Sequence, residues 1–193
     1  MLLDSAILRA HTPAMFRSLL PFAVFAALLH APAQAELPKG STAPVFSTSV
    51  AKAGKTGQFN LQQALKRGPV VLYFYPKAFT KGCTLETRAF ADAHDKFAAA
   101  GATVVGMSAD DLDTLKRFSV EECRNKFAVG VATPAIIKSY DVGFGLAGLQ
   151  SGYTNRTSYV IGQDGKVAYA HSDMDYRDHV AKTLAAVNAL KRK

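Results

Sequence analysis

Val70-Val71-Leu72-Tyr73-Phe74-Tyr75 is an unbroken run of β-branched, aliphatic and aromatic residues, and Pro76 ends it. A strand with no polar position has no solvent face, so this one predicts a sheet covered by helices on both sides. A helix is expected from about Cys83 to Ala100, because Phe90, Ala93 and Phe97 recur on one helical face and Gly101 closes it. Ala102 to Met107 reads as a second buried strand. Asp110 is placed to cap the next helix, with Asp111 and Asp113 at the positive end of its dipole, and that helix runs to about Arg124.

Further on, Ala128 to Val131 reads as a short strand and Ala135 to Tyr140 as a short helix after Pro134. Gly143 to Asn155 reads as a Gly-containing loop. Thr157 to Ile161 and Lys166 to Ala170 flank Gly162-Gln163-Asp164-Gly165, a hairpin signal. A last amphipathic helix carries Val180, Leu184 and Val187. Ahead of the buried strand, Glu36 to Lys55 reads as an extended lead-in and Asn60 to Lys66 as a short helix. Strand, helix, strand, helix demands a parallel sheet with right-handed crossovers, and the hairpin adds an antiparallel edge. The expected class is α/β: a thioredoxin-like fold, with a central mixed sheet flanked by helices.

The first 35 of the 193 residues are expected to stay outside that fold. Arg17, the apolar stretch Leu19 to Leu29 and Ala33-Gln34-Ala35 follow in the order of a secretory signal cut after Ala35. The stretch is too short for a spanning helix, which needs roughly 20 residues. The expected organisation is a signal peptide over 1–35 and one domain over 36–193, exported to the periplasm without stable membrane association. Net charge is +8, but the basic residues are scattered and only Lys191-Arg192-Lys193 forms a run. This argues for a solvated surface and against a nucleic-acid partner.

Two cysteines, Cys83 and Cys123, carry the chemistry. In an oxidising compartment their default is a structural disulfide. The surroundings of Cys83 point elsewhere. It lies seven residues after Pro76, where a buried strand passes into its helix, the end of the sheet at which α/β proteins build their sites. Unpaired N–H groups and the helix dipole stabilise a thiolate there. Thr80 is close enough to turn its hydroxyl towards the sulfur, and Gly82 lets a small ligand approach the backbone. Taken alone, Thr80 reads as a helix cap and Arg156 as a surface arginine. The histidines after residue 35, His94, His171 and His179, have no ligand spacing, so no metal and no organic cofactor is expected.

Pro76-Lys77-Ala78-Phe79-Thr80-Lys81-Gly82-Cys83 resembles the P-x-x-x-T-x-x-C signature of the peroxiredoxins. With Arg156-Thr157-Ser158-Tyr159-Val160-Ile161, the likeness is to the bacterioferritin comigratory protein, or peroxiredoxin Q, branch. The resemblance implies a thiol-dependent peroxidase acting on hydrogen peroxide and organic hydroperoxides. Cys83 would be oxidised to sulfenic acid, Thr80 would bond the peroxide oxygen, Pro76 would shield the sulfenate, and Arg156 would hold thiolate and peroxide, with Glu86 orienting it. The family often places a resolving cysteine five residues after the first; here that position is Arg88. Some relatives place it on the helix after the second strand, which is where Cys123 lies, so a Cys83–Cys123 disulfide recycled by thioredoxin or a similar dithiol is implied. Leu115, Ser119 and Cys123 share a face, and a buried structural thiol is the other reading of Cys123. A monomer is expected. Phe144, Leu146 and Leu149 are apolar candidates for shaping the pocket.

Acidity alone does not make such an enzyme. Lowering a thiol pKa from about 8.5 to about 6 raises the thiolate fraction roughly 30-fold at pH 7. The lost nucleophilicity takes back roughly 10-fold. Donors aimed at the departing oxygen must supply the rest. Two competing functions remain at this point. A thiol-disulfide oxidoreductase of the same fold would need a C-x-x-C pair, which is missing around Cys83. A non-catalytic module with a structural Cys83–Cys123 bridge would consume no peroxide.

Overall fold

The computed structural model describes residues 36–146 and 149–192; the expected signal segment, 1–35, lies outside them. The strands are β1 (Ser47–Lys52), β2 (Lys55–Asn60), β3 (Val70–Phe74), β4 (Thr103–Ser108), β5 (Ala128–Val131), β6 (Gly143–Leu146), β7 (Leu149–Thr154), β8 (Thr157–Ile161) and β9 (Val167–Ser172). The helices are α1 (Leu61–Leu65), α2 (Lys81–Ala99), α3 (Leu112–Glu121), α4 (Pro134–Ser139) and α5 (His179–Lys191), the last preceded by a single 3₁₀ turn, Tyr176–Asp178.

Seven strands form one mixed sheet in the order β2-β1-β5-β4-β3-β8-β9. β3, β4 and β5 are parallel, β8 lies antiparallel against β3, and β9 antiparallel against β8. Every residue of β3 is buried. Val70, Leu72 and Phe74 join one apolar cluster, while Val71 and Tyr73 join the other, the alternation that a pleated strand imposes. α2, α3 and α5 cover the second cluster through Phe90, Phe97, Leu115, Phe118 and Val187. α1 and α4 cover the first through Leu61, Leu65, Ile136 and Ile137. Each such side chain contributes about 1.5–3 kcal/mol by leaving water. This is the thioredoxin-like layout, helices on both faces of a mixed sheet.

Four local expectations are corrected. Glu36 to Lys55 is not simply extended: β1 and β2 form an edge hairpin, turned by Ala53 and Gly54 at φ 51° and 73°. Their polar residues hid the strands, because an edge hairpin keeps one face wet. Gly143 to Asn155 is likewise no plain loop but contains the β6–β7 hairpin. Asp110 does not cap α3. Asp111 has the extended backbone of an N-cap, and its carboxylate accepts from Thr114 N at 2.8 Å. α3 then ends at Glu121, short of the expected Arg124.

β4 accommodates Tyr73 only because it carries a glycine. A Cβ on Gly106 would stand 2.6 Å from the Tyr73 ring. That opening seats Tyr73 in a row of rings that includes Phe90 at 4.3 Å and Tyr75 at 5.5 Å.

Candidate active site

Past its last residue β3 continues through Tyr75 and Pro76 into a short loop that delivers the first turn of α2. Asp110, freed from capping, accepts hydrogen bonds from Ala78 N at 2.7 Å and Ser108 Oγ at 2.9 Å. Within this loop Phe79 has φ 62°, a left-handed conformation that a bulky residue rarely adopts. It is held there from α3: Phe118 packs edge-on against the Phe79 ring at 5.1 Å, and the Arg117 guanidinium lies 5.3 Å from it. Strain of this kind persists only where neighbours fix it, and it collects at functional sites.

Thr80 is the N-cap residue of α2 but makes no side-chain cap bond. Its hydroxyl donates to Lys77 O at 2.9 Å, so the oxygen keeps lone pairs for a ligand. Pro76 is half-buried at the start of the loop. Cys83 sits in the first turn of the helix, 1% exposed, and in that turn the backbone N–H groups have no partner within the helix.

Arg156 reaches Cys83 from the neighbouring strand. β8 runs antiparallel to β3 with Thr157 opposite Phe74, which sets Arg156 beside the outgoing end of β3. Its guanidinium is held in three directions. Nη2 lies 3.5 Å from Cys83 Sγ, Nη1 donates to Glu86 Oε2, and Nε donates to Met174 O at 3.0 Å. Gly82 leaves room for it, since a Cβ there would stand 3.2 Å from Nη2. Glu86, one turn after Cys83, is fully buried. Burial pushes its carboxyl up to about 8, against the pull of Arg156.

Behind Glu86 stands His179, which the sequence did not single out. Its Nε2 donates to Asp173 O at 2.9 Å, and Ser158 Oγ bonds Nδ1 at 2.8 Å. Burial lowers His179 to about 4, so the ring is neutral at pH 7. His179, Ser158 and the Met174 carbonyl carry no spacing relation to Cys83. Only Glu86 did, at helical distance.

Cys123 is elsewhere in the same apolar cluster as Cys83, just beyond α3, and both thiols are free. It is fully buried, and burial with the nearby Glu122 carboxylate pushes its thiol well up. Arg88 Nε bonds Glu122 Oε2 at 2.5 Å and Arg124 Nη1 bonds Asp92 Oδ1 at 2.5 Å, tying both neighbours of Cys123 to α2. Arg124 and Asn125 follow at φ 48° and 60°, two left-handed residues in succession. Phe144 is exposed, and the side chains of Leu146 and Leu149 lie outside the described residues. No group of three or more metal-ligating side chains occurs among the described residues.

Residues 40–170 match the AhpC/TSA family. The chain is 32% identical to the chloroplastic peroxiredoxin Q of Sedum lineare over 158 residues, covering 81% of each chain. Among solved structures it resembles the peroxidoxin BcpB of Mycobacterium tuberculosis, with TM-score 0.71 and 31% identity over 80% of this chain and 98% of that one. It also resembles the peroxiredoxin Q of Xanthomonas campestris, with TM-score 0.64 and 27% identity over 74% and 90%. Fold and relatives together define a thiol-dependent peroxidase, a hydroperoxide reductase of thioredoxin-like fold. The chain belongs to the AhpC/TSA family, in its peroxiredoxin Q branch. The peroxiredoxins reduce peroxides at the expense of thioredoxin-like dithiols. The thiol-disulfide oxidoreductase and non-catalytic readings are therefore not favoured.

Proposed function

We propose that Cys83 is the peroxidatic cysteine and that Cys123 resolves its sulfenic acid. The observation that carries the first half is the Arg156 fork, with one nitrogen 3.5 Å from the sulfur and the other on Glu86. The thiolate attacks one peroxide oxygen, the S–O bond forms, and the O–O bond breaks towards the leaving oxygen. Arg156 and the first-turn amides of α2 stabilise the charge that develops there, while Thr80 Oγ1 accepts from the peroxide O–H and Pro76 shields the product. Substrates are hydrogen peroxide and organic hydroperoxides; the bacterioferritin comigratory protein of Xanthomonas campestris reduces alkyl peroxides, which supports the second class.

Resolution joins Cys83–SOH and Cys123–SH with loss of water. A disulfide needs Cα atoms within about 7 Å, so the buried end of α3 opens first. The consecutive left-handed residues Arg124 and Asn125 favour opening there. A thioredoxin-like dithiol then reduces the bridge. Working as a monomer, the enzyme is exported through residues 1–35; N-terminal sequencing of the secreted form should begin at Glu36. The central test is peroxide turnover. Cys83→Ser abolishes it, whereas Cys123→Ser still forms a sulfenate that dimedone captures and that no internal thiol removes. Full cycling of Cys123→Ser with a dithiol donor refutes the resolving role and leaves a one-cysteine mechanism.

A further inference from the structure

A guanidinium that must meet a small ligand has to keep one plane. Its bond from Nη1 to Glu86 leaves Arg156 free to swing about that contact; the bond from Nε to Met174 O, at 3.0 Å, is the second fixed point. Yet the Met174 side chain is 51% exposed, and Ser172, Asp173 and Asp175 around it are exposed as well. Burial of side chains therefore does not hold this bend between β9 and the 3₁₀ turn. Reacting groups work when held to within about 0.5 Å, so the Met174 carbonyl needs another anchor.

His179 supplies it. The ring is fully buried at the start of α5. Its Nε2 donates to Asp173 O at 2.9 Å, the carbonyl immediately before that of Met174, and so closes the loop 173–179. The Asp173 amide donates to Arg156 O at 3.1 Å. Asp173 is thus tied to the Arg156 backbone by its N–H and to His179 by its carbonyl, and the next carbonyl receives the Arg156 side chain. The other ring nitrogen is committed too. Asp173 O only accepts, so Nε2 carries the ring proton and Nδ1 is a lone-pair atom. Ser158 Oγ donates to it at 2.8 Å. Ser158 lies two residues after Arg156, and both side chains reach into the same layer, Arg156 to Glu86 of α2 and Ser158 to His179 of α5. With its proton on Asp173 and its lone pair on Ser158, the ring has nothing left to offer Glu86 Oε1, which lies 3.6 Å from Nδ1. A side chain that only filled this space would do so better without two polar atoms to satisfy.

We propose that His179 is a positioning residue of the peroxidase site: held in one tautomer by Ser158, it pins Asp173 O and thereby keeps the Met174 carbonyl where it fixes the plane of the Arg156 guanidinium beside Cys83. The role in the reaction rests on Cys83 as the peroxidatic residue and Arg156 as its partner. His179 itself touches neither the sulfur nor the peroxide, and no proton or electron passes through it.

Two neutral, polar substitutions in the full chain separate the anchor from mere filling of space. His179→Gln sets an amide N–H where Nε2 stands and keeps the bond to Asp173 O. His179→Asn sets its amide near Nδ1, within reach of Ser158 but short of Asp173. The first readout is exchange with water of the Arg156 Nε–H, followed by NMR on the reduced protein and assigned by its absence in Arg156→Lys. Protection should be lost in His179→Asn and retained in His179→Gln. The second is the rate of Cys83 oxidation by peroxide, which should fall by about 10–100-fold in His179→Asn, the scale of a misplacement of about 1 Å, and recover in His179→Gln. Unchanged protection in His179→Asn overturns the anchor, and so does a folded His179→Gln that loses as much as His179→Asn. Lost protection with an undiminished rate overturns the role in the reaction. If His179→Asn does not fold, Ser158→Ala decides: without the hydroxyl that fixes the tautomer both readouts should move the same way, and unmoved readouts overturn the proposal. The exchange measurement uses no peroxide, so it tests the anchor even if wild-type Cys83 proves inert to peroxide, a result that would count against the reading of Cys83 instead.

Discussion

Arg156→Ala removes the group that links the sulfur to the rest of the buried cluster. At 3.5 Å, in an effective dielectric of about 20, two unit charges interact by about 5 kcal/mol, an upper limit because Glu86 shares the guanidinium. Donors of this kind, removed singly from a site where charge develops, cost about 10²–10³ in rate. Arg156→Ala is accordingly expected to slow the oxidation of Cys83 by about 10²–10³-fold. Alkylation by iodoacetamide samples the thiolate but develops no oxyanion, and it should slow far less. The chain has no tryptophan, so the peroxide rate is best measured by competition with a chromogenic peroxidase for limiting peroxide. Breaking a buried pair typically destabilises by about 3–5 kcal/mol, so denaturant unfolding must accompany the kinetics. Arg156→Lys retains the charge but not the planar fork that meets Cys83, Glu86 and Met174 O together, and should fall between the two. Equal losses in the peroxide and alkylation rates would refute the reasoning, since Arg156 would then act only on ionisation.

Gly106→Ala places a Cβ against the Tyr73 ring and should destabilise the fold by about 1–3 kcal/mol, read as a lower urea midpoint. Arg88→Ala frees the residue before Cys123 from α2. The half-exposed pair contributes no more than about 1 kcal/mol to stability, yet disulfide formation after peroxide should speed up several-fold, followed by quenched-flow mass spectrometry. His179 lies below its unfolded value, so between about pH 6.5 and about pH 4 the unfolded chain binds a proton that the folded one refuses, and stability falls as pH falls. His179→Gln should remove up to about 3 kcal/mol of that decline, seen as a flatter profile of unfolding free energy against pH.

Sequence alone determined the architecture wherever hydrophobic pattern and backbone chemistry agree. The unbroken run Val70 to Tyr75 has no solvent face, so it had to be a central strand with helices above and below. Gly162 to Gly165 had to turn a hairpin, and Cys83 had to open a helix, because turns, caps and periodicity are written within a few residues of each other. The edge hairpins β1–β2 and β6–β7 escaped, since half-wet polar strands lack that pattern. Asp110 and Asp111 were indistinguishable as caps, because what separates them is the Ala78 amide 32 residues away. The site divides in the same manner. Glu86 was legible from one turn of helix. Only the antiparallel register of β8 on β3 sets Arg156 across from the sulfur, and only the packing of α5 sets His179 and Ser158 behind Glu86. Charge compensation in a buried cluster depends on distances through space, and linear spacing carries no record of them.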